Sequence, residues 1–167
     1  MKNAKSNEIV KILLDDHERI LMDIAPVEDV LRNPNMGDEA WGSLEKLVEI
    51  ANQFDPHFMK ETKFLFPALD ELPKSDIHIL AFNDLFPLVK FEHDDWIMIS
   101  STANRLISGA VKRKNKQLRD LSVLLGNNMI TFVKRHFSLE EAVAFPMVLS
   151  LSDEKQENIL ARMRAFK

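Results

Sequence analysis

The sequence predicts an all-α fold: an up-down-up-down four-helix bundle with a short extra C-terminal helix. Three observations carry this expectation. Apolar residues recur at steps of 3 and 4 through every long segment, the spacing by which a helix marks its buried face. Only four of the 167 residues are glycine, none is tyrosine, and 46% are apolar, a helix-leaning composition that is globular rather than disordered. The second half of the chain also repeats the pattern of the first, so two helical hairpins are expected to pack on each other.

In chain order, Ser6 or Asn7 is placed to cap a first helix with the stripe Ile9/Val10, Leu13, His17, Ile20/Leu21 and Ile24. Pro26 is expected to kink or restart it, and Asn33-Pro34-Asn35-Met36-Gly37 reads as a turn. Asp38 then caps a second helix whose face is Leu44, Leu47/Val48, Ala51, Phe54, His57/Phe58, Glu61 and Leu65. A local kink is expected at Asp55-Pro56, and Pro67 with Leu72-Pro73-Lys74-Ser75 closes the helix. A third helix, under way by Leu85-Phe86-Pro87, runs to about Gly109 with the stripe Val89, His93, Trp96/Ile97, Ser100, Ala103/Asn104 and Ile107. The fourth, from about Asn115 to Leu149, carries Leu118, Leu121, Leu125, Met129, Phe132, His136, Glu140, Val143 and Met147. Ser152 caps an amphipathic tail helix. The expected organisation is one domain over 1–167, with hairpins at about 7–70 and 76–149 and a tail helix at about 153–166.

Composition excludes several classes. A net charge of −4 argues against a nucleic-acid partner, which calls for a basic face. Without cysteine there are no disulfides and no thiolate metal ligands. No run of about 18 apolar residues is present to span a membrane. The polar start from Met1 to Ile9 lacks the apolar segment of a signal peptide, so a cytoplasmic protein is the default expectation.

The repeat carries the chemistry. His57-Phe58-Met59-Lys60-Glu61 through Phe66-Pro67 overlays His136-Phe137-Ser138-Leu139-Glu140 through Phe145-Pro146, with His, Phe, Glu, Phe and Pro at the same offsets. Upstream, Asp16-His17-Glu18 echoes Glu92-His93-Asp94. Each hairpin therefore offers one His from its first helix and a His-x-x-x-Glu from its second, and residues at i and i+4 share a helix face. An imidazole and a carboxylate on a buried face are costly unless something binds them. Taken alone, each such residue is ordinarily a core histidine or a surface pair; four histidines in one repeated register point instead to a shared metal site.

Two facing carboxylates in a low-dielectric core repel, and one is driven to hold a proton. Two di- or trivalent cations remove that conflict, with each glutamate giving one oxygen to each ion. The expected metal ligands are His17, His57, Glu61, His93, His136 and Glu140: His17 and His57 on one ion, His93 and His136 on the other, and both glutamates bridging. Four protein donors per ion leave room for water, an oxo or hydroxo bridge, or an exogenous small molecule. Imidazole with carboxylate and no sulfur suits iron, manganese or zinc, and open positions favour a pair of irons over a closed structural zinc. His78 lies 15 residues before His93, roughly 22 Å along a continuous helix, and is not expected to be a ligand. Asp16, Glu92, Asp94 and Asp95 are candidates to orient the imidazoles. Glu141 is expected to be solvated, and Trp96 and Phe132 to wall the pocket.

These residues, their spacing and the Phe-Pro after each motif resemble the hemerythrin-like, or HHE cation-binding, family over nearly the whole chain, from Asp16-His17 to Phe145-Pro146. The resemblance implies a four-helix bundle with a non-haem di-iron centre that meets dioxygen, nitric oxide or peroxide. Oxygen-carrying hemerythrins place a further His one turn after the third-helix ligand and end in His-x-x-x-x-Asp. Here that turn ends at Ile97 and the last motif is His136-x-x-x-Glu140. The four-His, two-Glu set is similar to bacterial proteins linked to repair of iron–sulfur centres, which usually carry a cysteine-containing N-terminal domain; this sequence has no cysteine.

The expected function is binding or sensing of a small diatomic or peroxide. Alternatives are turnover of peroxide or nitric oxide with electrons from a separate redox partner protein, iron donation to iron–sulfur centres, and a module in which metal only fixes the fold.

Overall fold

The computed structural model describes residues 2–33, 35, 37–73 and 84–166, without the side chains of Lys2, Asn3 and Ile97. It is all-helical, with no strand among the described residues. The elements are α1 (Lys2–Arg32), α2 (Glu39–Lys60), a π-helical turn (Glu61–Leu65), α3 (Phe66–Asp70), α4 (Phe86–Arg113), α5 (Lys116–Ala142), α6 (Ala144–Met147), a 3-10 turn (Val148–Ser150) and α7 (Asp153–Ala165). By its contacts the chain falls into two compact units, Met1–His17 with Asp55–Asp94 and His136–Lys167, and Glu18–Phe54 with Asp95–Arg135.

The first unit has an apolar core that includes Ile9, Leu13, Leu65, Phe66, Val89, Phe145, Ile159 and Met163. Helix α7 contributes its buried face to that core. It starts where the Ser152 side chain accepts a hydrogen bond from the Lys155 backbone N–H, the expected cap. Gln156, buried, donates from Nε2 to the Leu151 carbonyl at 2.9 Å. Ion pairs of Lys155 with Glu71 and of Arg164 with Glu8 fasten its exposed side.

The second unit is built on Ile20, Ile24, Leu31, Leu44, Leu47, Trp96, Ile107, Met129 and Val133, all buried. A Cβ added at Gly126 would lie 2.9 Å from Leu47 Cδ2 and 3.1 Å from Leu31 Cδ1, so glycine here admits leucines from two other helices. Glu28, nearly buried, is held between Arg32 and Lys134. Gly37 takes a positive φ of 56° in the α1–α2 turn, where Asn33 Oδ1 accepts the Asn35 N–H at 2.9 Å. Asn115 Oδ1 accepts from the N–H groups of Gln117 and Leu118 and opens α5.

Several boundaries differ from expectation. Ser6 is a buried residue inside α1, which begins at Lys2. Pro26 and Pro56 each sit within a continuous helix. Both prolines are exposed, and the carbonyls they cannot serve belong to Met22 and Asn52, also exposed, where water can bond them. Pro67 lies in the first turn of α3, so the helical path continues to Asp70. Helix α4 runs to Arg113, beyond Gly109. Helix α5 ends at Ala142, not Leu149. Leu121, placed on the buried stripe, is half exposed. Pro34, Met36, Lys74, Ser75 and His78 lie outside the described residues, as does the Ile97 side chain.

Candidate metal centre

The two motifs lie where helix geometry is broken. After His57, the helix widens to a π turn at Glu61, and the Phe66 N–H bonds the Glu61 carbonyl. After His136, Val143 leaves the helix at φ −116° and ψ −61° before α6 begins, with its N–H shared between the Leu139 and Glu140 carbonyls. The π turn runs directly into Phe66-Pro67, and Val143 lies two residues before Phe145-Pro146. A proline lacks the N–H that would continue the ladder, so a local change of register before it lets the chain stay helical. π turns of this kind gather at functional sites.

All six expected residues meet in the first unit, and all are buried, His93 being the most exposed at 4%. One ligand atom from each of His17, His57, Glu61 and Glu140 lies within 4.8 Å of the others, and so do atoms from Glu61, His93, His136 and Glu140. The quartets share both carboxylates. The four Nε2 atoms turn inward: His17 Nε2 is 3.1 Å from His57 Nε2, and His93 and His136 Nε2 lie 2.9 and 2.8 Å from Glu140 Oε1. Glu61 Oε2 stands 3.4 Å from His57 Nε2 and 3.1 Å from His93 Nε2, without hydrogen-bond geometry.

Behind the imidazoles, the Nδ1 atoms face a second ring of groups. With Nε2 turned to the centre, Nδ1 carries the hydrogen. His17 Nδ1 donates to Glu141 Oε1 at 2.9 Å, His136 Nδ1 to Glu92 Oε2 at 3.0 Å, and His93 Nδ1 to Thr62 Oγ1 at 3.1 Å. His57 Nδ1 faces Asp16 Oδ2 at 3.6 Å, and Asp16 is itself held by Lys60 at 2.6 Å. The ring follows the repeat. The residue before each first-helix His faces the motif His of the same hairpin, and the residue after each motif Glu holds the first-helix His of the other hairpin.

Glu141 is exposed, as expected, and in addition anchors His17. Thr62 was not anticipated. The signal was present, since both follow a motif glutamate directly. Asp16 and Glu92 face histidines, as their placement anticipated; Asp94 is exposed. The rings against the imidazoles include Phe137, stacked on His17 at 3.8 Å, with Phe58 and Phe66 edge-on to His93. Trp96 stacks on Phe132 and meets Phe54 edge-on in the second unit.

Burial works against charge on His93, but the hydrogen bond to Glu140 and the negative charge of the adjacent Glu61 and Glu140 prevail and raise its pKa to about 9. His17 is raised against the same burial by Glu140 first and then Glu141. Burial opposes ionisation of Glu140 too, yet the surrounding imidazoles, His136 foremost, hold it well below the usual carboxylate range. For Asp16, the facing His57 imidazole and the hydrogen bond from Lys60 overcome desolvation and lower the pKa to about 2.

The donor set fits metal. Neither oxygen of buried Glu61 has a hydrogen-bond partner, nor does Oε2 of Glu140. Buried acceptors left so are costly, and a cation between two facing Nε2 atoms and these oxygens satisfies them together.

A helical fold with a buried centre of four histidines and two glutamates defines a metal-binding protein of the nitrogen–oxygen donor class. The model of the hemerythrin HHE cation-binding domain matches residues 8–148, and the chain belongs to that family. Comparison with curated proteins and with solved structures gave no significant match. Among the described residues no helix is long and apolar enough to cross a membrane.

Proposed function

We propose that the protein is a non-haem di-iron protein of up-down-up-down four-helix topology that binds or senses a small molecule: dioxygen, nitric oxide or peroxide. In this reading His17 and His57 bind one iron, His93 and His136 the other, and Glu61 and Glu140 bridge them. The observation that carries it is that the two quartets of buried donors share both carboxylates.

Bound iron supplies open coordination positions and one-electron redox chemistry. The chain's own residues do the rest. Glu141, Glu92 and Thr62 accept the Nδ1 hydrogens of His17, His136 and His93, which fixes the tautomer and leaves each Nε2 lone pair to the metal. Phe58, Phe66 and Phe137 pack against the imidazoles and give the centre an apolar surround.

The test is metal content per chain with an absorption spectrum in air, followed by titration with nitric oxide and peroxide. Close to two irons, near-ultraviolet charge-transfer bands and stoichiometric spectral changes support the reading. One zinc whose removal unfolds the chain overturns it in favour of a module in which metal only fixes the fold, and a chain that takes up no metal overturns both.

A further inference from the structure

Resting on that two-metal reading, we infer that the metal positions are unequal, and that the ion on His93 and His136 exchanges through a cleft ending at Thr62 and His93. Two independent observations meet there.

The first is the chemistry behind the imidazoles. His17, His57 and His136 each face a carboxylate, whereas His93 alone faces a neutral hydroxyl, Thr62 Oγ1. A carboxylate accepting from Nδ1–H makes the opposite nitrogen a stronger donor; a hydroxyl does so far less. His93 is accordingly the weakest of the four ligands, although its position in the repeat matches that of His17.

The second is access. A cleft of about 260 Å³ is lined by Thr62, Phe66, Asp70, Lys90, His93 and Asp94. It reaches the one imidazole of the four that retains measurable exposure above 1%. Two acidic side chains line it and draw cations. Across it Lys90 Nζ bonds both carboxylate oxygens of Asp70 at 2.7 Å, while lying 5.5 Å from the Phe86 ring. Both partners are more than a third exposed, and an exposed pair is weak, so it works as a latch that opens readily. Exchange needs no redox step: water or a chelator donor replaces His93 Nε2, and the ion leaves as its remaining ligands follow.

The experiment loads the full chain with two ferrous ions per chain without oxygen and follows their transfer to a colorimetric ferrous chelator by stopped flow. The expected course has two phases of one ion each. Thr62→Glu, which copies Glu141 at an exposed position, slows the fast phase about tenfold, within the range for orienting partners; Thr62→Val quickens it. Lys90→Ala quickens the fast phase and leaves the slow one unchanged. Loss of both ions in one phase, or a fast phase indifferent to all three variants, overturns the inference while the two-metal reading stands. Fewer than two ions bound at loading overturns that reading, and the inference with it. Circular dichroism confirms that each variant is folded.

Discussion

His17 and His57 present their Nε2 atoms to each other at 3.1 Å, at the edge of a carboxylate pair with which both are in contact. Two lone pairs cannot face each other at that distance, so either a proton or a cation stands between them. Metal-free protein takes the proton. Loading must expel it, and the pKa of His93, raised to about 9, means that its proton is held at pH 7; His17 is raised too. Metal uptake at pH 7 should therefore release protons, and apparent affinity should rise with pH up to about 9. A pH indicator in weak buffer during loading measures this; uptake with no proton release would contradict the charge state described.

The same charges set the pH dependence of metal-free stability. His93 rises from 6.5 unfolded to about 9 folded, so its contribution is complete below pH 6.5 and lost as pH climbs through 9. Asp16 falls from 3.8 to about 2, so its contribution is present above 3.8 and lost as pH falls through 2. Glu140, lowered from 4.5 chiefly by His136, adds in the same acid direction. Thermal melts of metal-free protein should peak between about pH 5 and 6.5.

Glu61→Ala or Glu140→Ala should lose one metal or both, because each removes a donor common to both quartets. His78→Ala should leave metal content unchanged. Elemental analysis of the three purified variants decides; an emptied His78→Ala protein would mean that the ligand set is wrong.

Glu92→Gln keeps the size of the side chain and an acceptor for His136 Nδ1 but removes the charge. It should weaken metal binding about 10-fold and Glu92→Ala up to about 100-fold, read by competition with a chelator of known affinity. Metal at 100 times its dissociation constant should also raise stability by about 2.7 kcal/mol, so both variants should melt lower than the loaded parent at equal metal.

Gly126→Leu should destabilise the fold by about 1–3 kcal/mol through overpacking, because Leu47 and Leu31 occupy the space a side chain would need. Chemical denaturation measures it, and metal content of the folded fraction should not change.

The helices, the repeat and the six converging residues were legible because helical periodicity and i, i+4 spacing are local properties that a linear chain displays. Legible too was the tail-helix cap at Ser152, a contact between residues three apart. What tertiary structure alone decided was how proline is tolerated and what stands behind each imidazole. Pro26 and Pro56 pass through continuous helices because their faces are turned to solvent, and that depends on neighbours distant in sequence. Glu141 anchors His17 across 124 residues, and Thr62 meets His93 across 31; no spacing rule links such pairs. The sequence determined which groups can bind metal, through their chemistry and register. Packing of separate helices determined which of those groups is held by a charge and which by a hydroxyl, because only packing sets the distance between residues that the chain keeps apart.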